Sequence, residues 1–99
     1  MSWTVQPEAV LGSAGAESAI SGEISAAAAA AAPALLGTTP MGNDLDSALF
    51  TTALNACGGA YVGVVQEHSL QRGLFAGTQS VASSVYTATE AARSLTLGL

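Results

Sequence analysis

The sequence predicts an all-α protein, an antiparallel two-helix hairpin that completes its core with a partner. Three observations lead there. Turn signals gather at one place, Gly37-Thr38-Thr39-Pro40-Met41-Gly42-Asn43, and divide the chain in two. On either side apolar residues recur at helical spacing, with no strand-like alternation. Hydrophobic residues make up 49% of the 99-residue chain, but 21 of them are alanine. Alanine favours helix and buries little area. A chain this small and this poor in large side chains needs a second chain to complete its core.

The elements follow in order. Helix 1 is expected over about 7–36. Pro7 suits the first helical position, where its missing N–H costs nothing, and Glu8 complements the positive helix end. Val10, Ala14, Ile20, Ile24, Ala27 and Ala31 make a thin apolar stripe. The run Ala26 to Ala32 is rich in helix propensity, and Pro33 should end or kink the helix. The loop takes 37–43. Asn43 or Asp44 caps the next helix, with Asp46 in its first turn.

Helix 2 is expected over about 44–92. Leu45, Leu49, Ala53, Ala56, Ala60, Val64, Leu74, Val81 and Val85 trace one apolar face, interrupted near Glu67 and Gln71. Phe50, Leu54, Tyr61, Val65 and Phe75 populate an adjacent strip. Two strips imply two packing partners, and helix 1 can cover only one. The second is the candidate partner interface. Gly58-Gly59 and Gly63 each weaken the helix by roughly 1 kcal/mol relative to alanine, as expected where backbones pass closely or the helix bends. A loop splitting the helix there is the alternative. Residues 1–92 thus form one hairpin domain, and 93–99 a flexible tail.

Composition narrows the function. The chain has two basic residues, Arg72 and Arg93, against seven acidic ones, for a net charge of −5. That excludes a phosphate-binding footprint and docking on an anionic membrane. No nucleic acid partner is expected. The charge-free run Ala26 to Leu36 is too short to span a bilayer, and Gln66, Glu67, His68, Gln71 and Arg72 interrupt the region around Gly59-x-x-x-Gly63 and Gly73-x-x-x-Gly77. No integral membrane segment is expected, and close helix packing is the reading of those glycines. No cleaved N-terminal signal peptide is visible in Met1-Ser2-Trp3-Thr4-Val5-Gln6.

Enzyme chemistry finds little footing. Cys57, the lone cysteine, reads as a small buried hydrophobe. Cys57 and His68 would lie about 16 Å apart along one helix, beyond hydrogen-bond reach. His68 reads as an exposed or interface histidine. No metal cluster, phosphate loop or other cofactor motif stands out, so neither catalytic residues nor cofactors are expected. Tyr86-Thr87-Ala88-Thr89-Glu90 places a phenol and a carboxylate one turn apart on one helix face. Near the end of a long helix, such a pair is available to be read by another protein.

Pro7-Glu8, the alanine-rich first helix, the Pro40…Asp44-x-x-Ser47 loop exit and Tyr86-x-x-x-Glu90, in that order and in a chain of this size, resemble the PE family of mycobacterial proteins. The resemblance covers about residues 1 to 92, and Tyr61 and Phe75 fall where the family carries aromatics. It implies a helical hairpin that completes a four-helix bundle with a partner hairpin from the PPE family, as an obligate heterodimer, and is exported to the surface or medium by a type VII secretion system. It implies that Pro7 and Glu8 are the signature dipeptide and that Tyr86 and Glu90 belong to the secretion signal. It also implies a PE domain without a C-terminal extension. Asp44-Leu45 stands where the family has Asp-Glu, and Met41-Gly42 replaces small alanines. The expected function is therefore non-enzymatic. A self-assembling adaptor, a homodimeric four-helix bundle, is the alternative, and a small enzyme is more distant.

Overall fold

A computed structural model describes residues 3–98. Among these the fold is all-helical. Helix α1 spans Pro7–Leu36, helix α2 spans Leu45–Leu97, and the two pack against each other as a hairpin.

Both ends of α1 follow from local chemistry. The Gln6 carbonyl accepts from the Ala9 and Val10 amides at 3.0 and 3.2 Å, which starts the helix around Pro7. The helix runs through Pro33 rather than ending there. Proline withholds one amide but keeps its carbonyl, and that carbonyl accepts from the Gly37 amide at 3.0 Å and closes the last turn. Helix α2 begins on Asp44. Its Oδ1 accepts from the Ser47 amide at 2.7 Å while its carbonyl accepts from the Ala48 amide. The helix is continuous through Gly58-Gly59 and continues past Ala92 to Leu97. The Thr96 hydroxyl bonds the Ala92 carbonyl and Arg93 bonds Glu90, both supporting this last stretch.

The hairpin divides into two compact units, one of residues 21–70 and one of residues 1–20 with 71–99. In the loop-side unit, the buried and half-buried positions of α1 are Ser21, Ile24, Ala28, Ala31 and Leu35, with Ala32 beside them. Those of α2 run Thr51, Asn55, Gly58, Val62, Val65 and Ser69, flanked by Ser47 and Gly59. The main series alternate steps of three and four, a heptad seam. Small and polar residues make up most of it, with Ile24, Leu35, Val62 and Val65 as its larger apolar members. Ser69, buried, donates to the Ser21 carbonyl at 2.9 Å, accepts Ser25 at 2.6 Å in a hydroxyl pair, and its own carbonyl accepts from the Ser21 hydroxyl at 2.7 Å. The Asn55 amide brackets Thr38, accepting from its N–H at 3.1 Å and donating to its carbonyl at 3.3 Å. A Cβ built on Gly58 would collide with the Leu35 carbonyl. There the two backbones pass closely, and only glycine fits.

The terminal unit repeats the pattern. Pro7, Val10, Ala14 and Glu17 of α1 are buried or half-buried, as are Arg72, Ala76, Gln79 and Ser83 of α2. Arg72 pairs with Glu17 at 2.8 Å, Gln79 donates to the Ser13 hydroxyl at 2.9 Å, and Ser83 donates to the Pro7 carbonyl at 2.8 Å. These bonds satisfy groups that would otherwise be costly to enclose, while the buried Gln79 Oε1 has no hydrogen-bond partner.

This seam corrects the sequence reading of α2. The large apolar face expected against helix 1, Leu45, Leu49, Val64, Leu74, Val81 and Val85, is exposed throughout. So is Ile20 of the expected α1 stripe. Two alanine-rich helices approach through their smallest side chains, which leaves the bulky ones outside. Cys57 is exposed rather than buried. Gly63 and Gly77, one glycine of each Gly-x-x-x-Gly pair, face open space, whereas Gly59 meets the Leu36 side chain at ordinary contact distance and the close backbone approach expected at Gly58-Gly59 occurs at Gly58.

Candidate functional site

Two surfaces carry the side chains singled out in the sequence. The first lies in the loop-side unit. Beside the seam, α2 presents a second series with the same alternating steps, Phe50, Leu54, Cys57, Tyr61 and Val64, all exposed. Phe50 keeps 69% of its surface in solvent and Tyr61 keeps 60%. Val65 is half-buried at the seam's edge. With Tyr61, Val64 and His68 it forms one wall of a groove of about 550 Å³, whose other wall is Ile24, Ala27, Ala28 and Ala31 of α1. The α1 wall is mostly alanine, and the α2 wall carries the larger side chains. A second groove of about 620 Å³ lies at the loop, among Met41, Phe50 and Leu54. Phe75, on α2 of the terminal unit, is also exposed. Leaving a large apolar side chain in water forfeits roughly 1.5–3 kcal/mol.

The areas agree with this. A compact monomer of 9.7 kDa exposes about 5,100 Å² by the usual size scaling. This chain exposes 7160 Å². The excess, about 2,000 Å², is the scale of an extensive protein interface. Both helices also hold an 18-residue window of mean hydropathy 1.4, long and apolar enough to cross a membrane by length and composition, and only 6% and 11% of those windows are buried. The sequence reading gave weight to the polar block from Gln66 to Arg72 and expected no such segment. The mostly buried core helix of a soluble protein passes the same test of length and composition.

The second surface lies in the terminal unit. Tyr86 and Glu90 stand one turn apart on exposed α2. Glu90 Oε1 accepts from Arg93 Nη1 at 3.0 Å. Both residues line a cavity of about 500 Å³ with Trp3, Thr4, Val5, Val85, Thr89 and Arg93. The sequence reading missed Trp3 and Val5 and assigned Arg93 to a fraying tail. The available signal was that Trp3 is the chain's single tryptophan. Pro7 lies half-buried on the seam with its carbonyl held by Ser83, while Glu8 is exposed in the first turn of α1.

Among the described residues, no group of three or more His, Cys, Asp or Glu is placed to hold a metal. Cys57 and His68 lie on the same continuous helix. Their spacing gives no nucleophile–base pair.

No curated protein and no solved structure matches the chain. The family model described as PE family matches residues 3–93. That match spans nearly all of both helices, with Pro7-Glu8 and Tyr86-x-x-x-Glu90 inside it, and so the chain belongs to the PE family.

Proposed function

We propose that this protein is a non-enzymatic type VII secretion substrate that pairs with a PPE-family hairpin in a four-helix bundle and presents Tyr86 and Glu90 as its export signal. Membership of the PE family supports a role associated with type VII secretion, at the cell surface or beyond. One observation carries the pairing. The hairpin closes on small and polar side chains, while Phe50, Leu54 and Tyr61 stand in solvent at heptad spacing. A partner helix seated on that series buries what α1 leaves out. Phe50, Leu54, Tyr61, Val65 and Phe75 form the partner interface, and Pro7 and Glu8 are the family signature at the start of α1.

Co-production tests the pairing. The chain should be soluble with a PPE-family protein and should aggregate or self-associate without one. A stable, monodisperse homo-oligomer formed in the absence of any partner overturns it in favour of a self-assembling adaptor. Export tests the signal. Tyr86→Ala and Glu90→Ala should each keep the partner bound and abolish secretion, and normal secretion of both variants removes the assignment.

A further inference from the structure

We infer that Trp3 and Val5 belong to the same recognition site as Tyr86 and Glu90, and that the cavity they enclose takes one apolar side chain from the protein that reads the export signal. The inference rests on Tyr86 and Glu90 being that signal.

The seam spacing leads to it. Arg72, Ala76, Gln79 and Ser83 take the steps of four and three that face α1 in the terminal unit. The next two steps are Tyr86 and Glu90. But α1 begins at Pro7, whose carbonyl is already taken by Ser83. The seam of α2 therefore runs on past the end of its own partner helix. Only the non-helical residues before Pro7 lie beside it, and Trp3 and Val5 among them line the cavity of about 500 Å³.

The composition of that cavity points to a protein ligand. Tryptophan, tyrosine and arginine dominate the binding energy of protein interfaces. This chain has one, two and two of them, and Trp3, Tyr86 and Arg93 meet at this one site. Trp3 is 88% exposed, a large apolar area left in water. Charge selects the occupant. Glu90 and Arg93 already pair at 3.0 Å, so a charged head entering the cavity finds no uncompensated counter-charge. The remaining walls are Trp3, Val5, Val85 and Tyr86 together with Thr4 and Thr89, and the first four supply the surface that an apolar side chain covers.

The test compares export of the full chain, co-produced with a PPE-family partner in a host carrying a type VII system, for Trp3→Ala, Trp3→Phe and Tyr86→Ala. Partner co-purification and helicity are measured on each. Trp3→Ala should cut export by at least about tenfold with pairing and helicity unchanged, and Trp3→Phe should retain most of it. If Tyr86→Ala blocks export and Trp3→Ala does not, this inference fails while the signal stands. If both variants export normally, the signal itself fails and takes the inference with it. If Trp3→Ala loses the partner as well as export, Trp3 acts through pairing, and the recognition site is overturned.

Discussion

Gly58 of α2 faces the Leu35 carbonyl near the end of α1 with no room for a Cβ between them. This contact brings the two backbones together on the loop side of the hairpin, and it separates two glycines that look alike in sequence. Gly58→Ala gains roughly 1 kcal/mol of helix propensity and loses about 1–3 kcal/mol to overpacking, so the hairpin should be destabilised. Gly63→Ala meets open space and should stabilise the chain by up to about 1 kcal/mol. Urea titrations of the helical signal should move in opposite directions for the two variants.

The Asn55 clamp on Thr38 supplies a second prediction. Asn55→Ala removes the acceptor for the Thr38 amide and the donor to its carbonyl, both in a half-buried setting. The cost should be about 1–3 kcal/mol. Amide hydrogen exchange at Thr38 should accelerate, while exchange near Ser83 stays at the wild-type rate.

Acid should loosen the start of α2 in a defined direction. The Ser47 backbone N–H donates to the Asp44 carboxylate and, helped by the Ser47 side chain, holds its pKa below the ordinary 3.8. A depressed folded-state pKa contributes stability that is fully present above the unfolded value and is lost as pH falls through the folded one. The cap should therefore hold at neutral pH and weaken only below 3.8. Asp44→Asn keeps an acceptor that does not titrate, so its helical signal at residues 45–48 should stay flat on acidification.

Charge placed on the outer series should break pairing without unfolding the hairpin. Phe50→Asp or Tyr61→Asp would bury an unpaired carboxylate against a partner, weakening the complex by on the order of a hundredfold or more. Neither side chain lies on the seam with α1, so the helicity of the isolated chain should be unchanged. Size-exclusion of the co-produced pair reads the first effect, and circular dichroism reads the second.

The two helices were legible because their punctuation is local. Pro7, the cluster from Gly37 to Asn43 and the Asp44 cap act through their own backbone geometry. The inner face was not legible by the size of its side chains. Reading Leu45, Leu49 and Val64 as core follows the rule that bulk goes inside. Here most of the bulk goes outside, because a two-helix seam built largely of alanine, serine, threonine and glycine leaves room for few larger side chains. The pattern of three and four was nonetheless present, in Pro7, Val10, Ala14, Glu17, Ser21 and Ile24 and in Thr51, Asn55, Gly58 and Val62. Seeing it required counting serine, threonine and glycine as core residues. Tyr86 and Glu90 were found as a pair, but Trp3 and Val5 could not be placed beside them, since that proximity arises only from the antiparallel return of the chain.

The Glu17–Arg72 pair carries one more consequence. A zipper of alanine and serine looks nearly the same after a slip of one heptad, and slippage is the natural fault of such a helix pair. Sliding α1 by seven residues would set the Arg72 guanidinium opposite Val10 or Ile24 and forfeit the 2.8 Å contact with Glu17. The ion pair thus adds an index mark to a repetitive sequence.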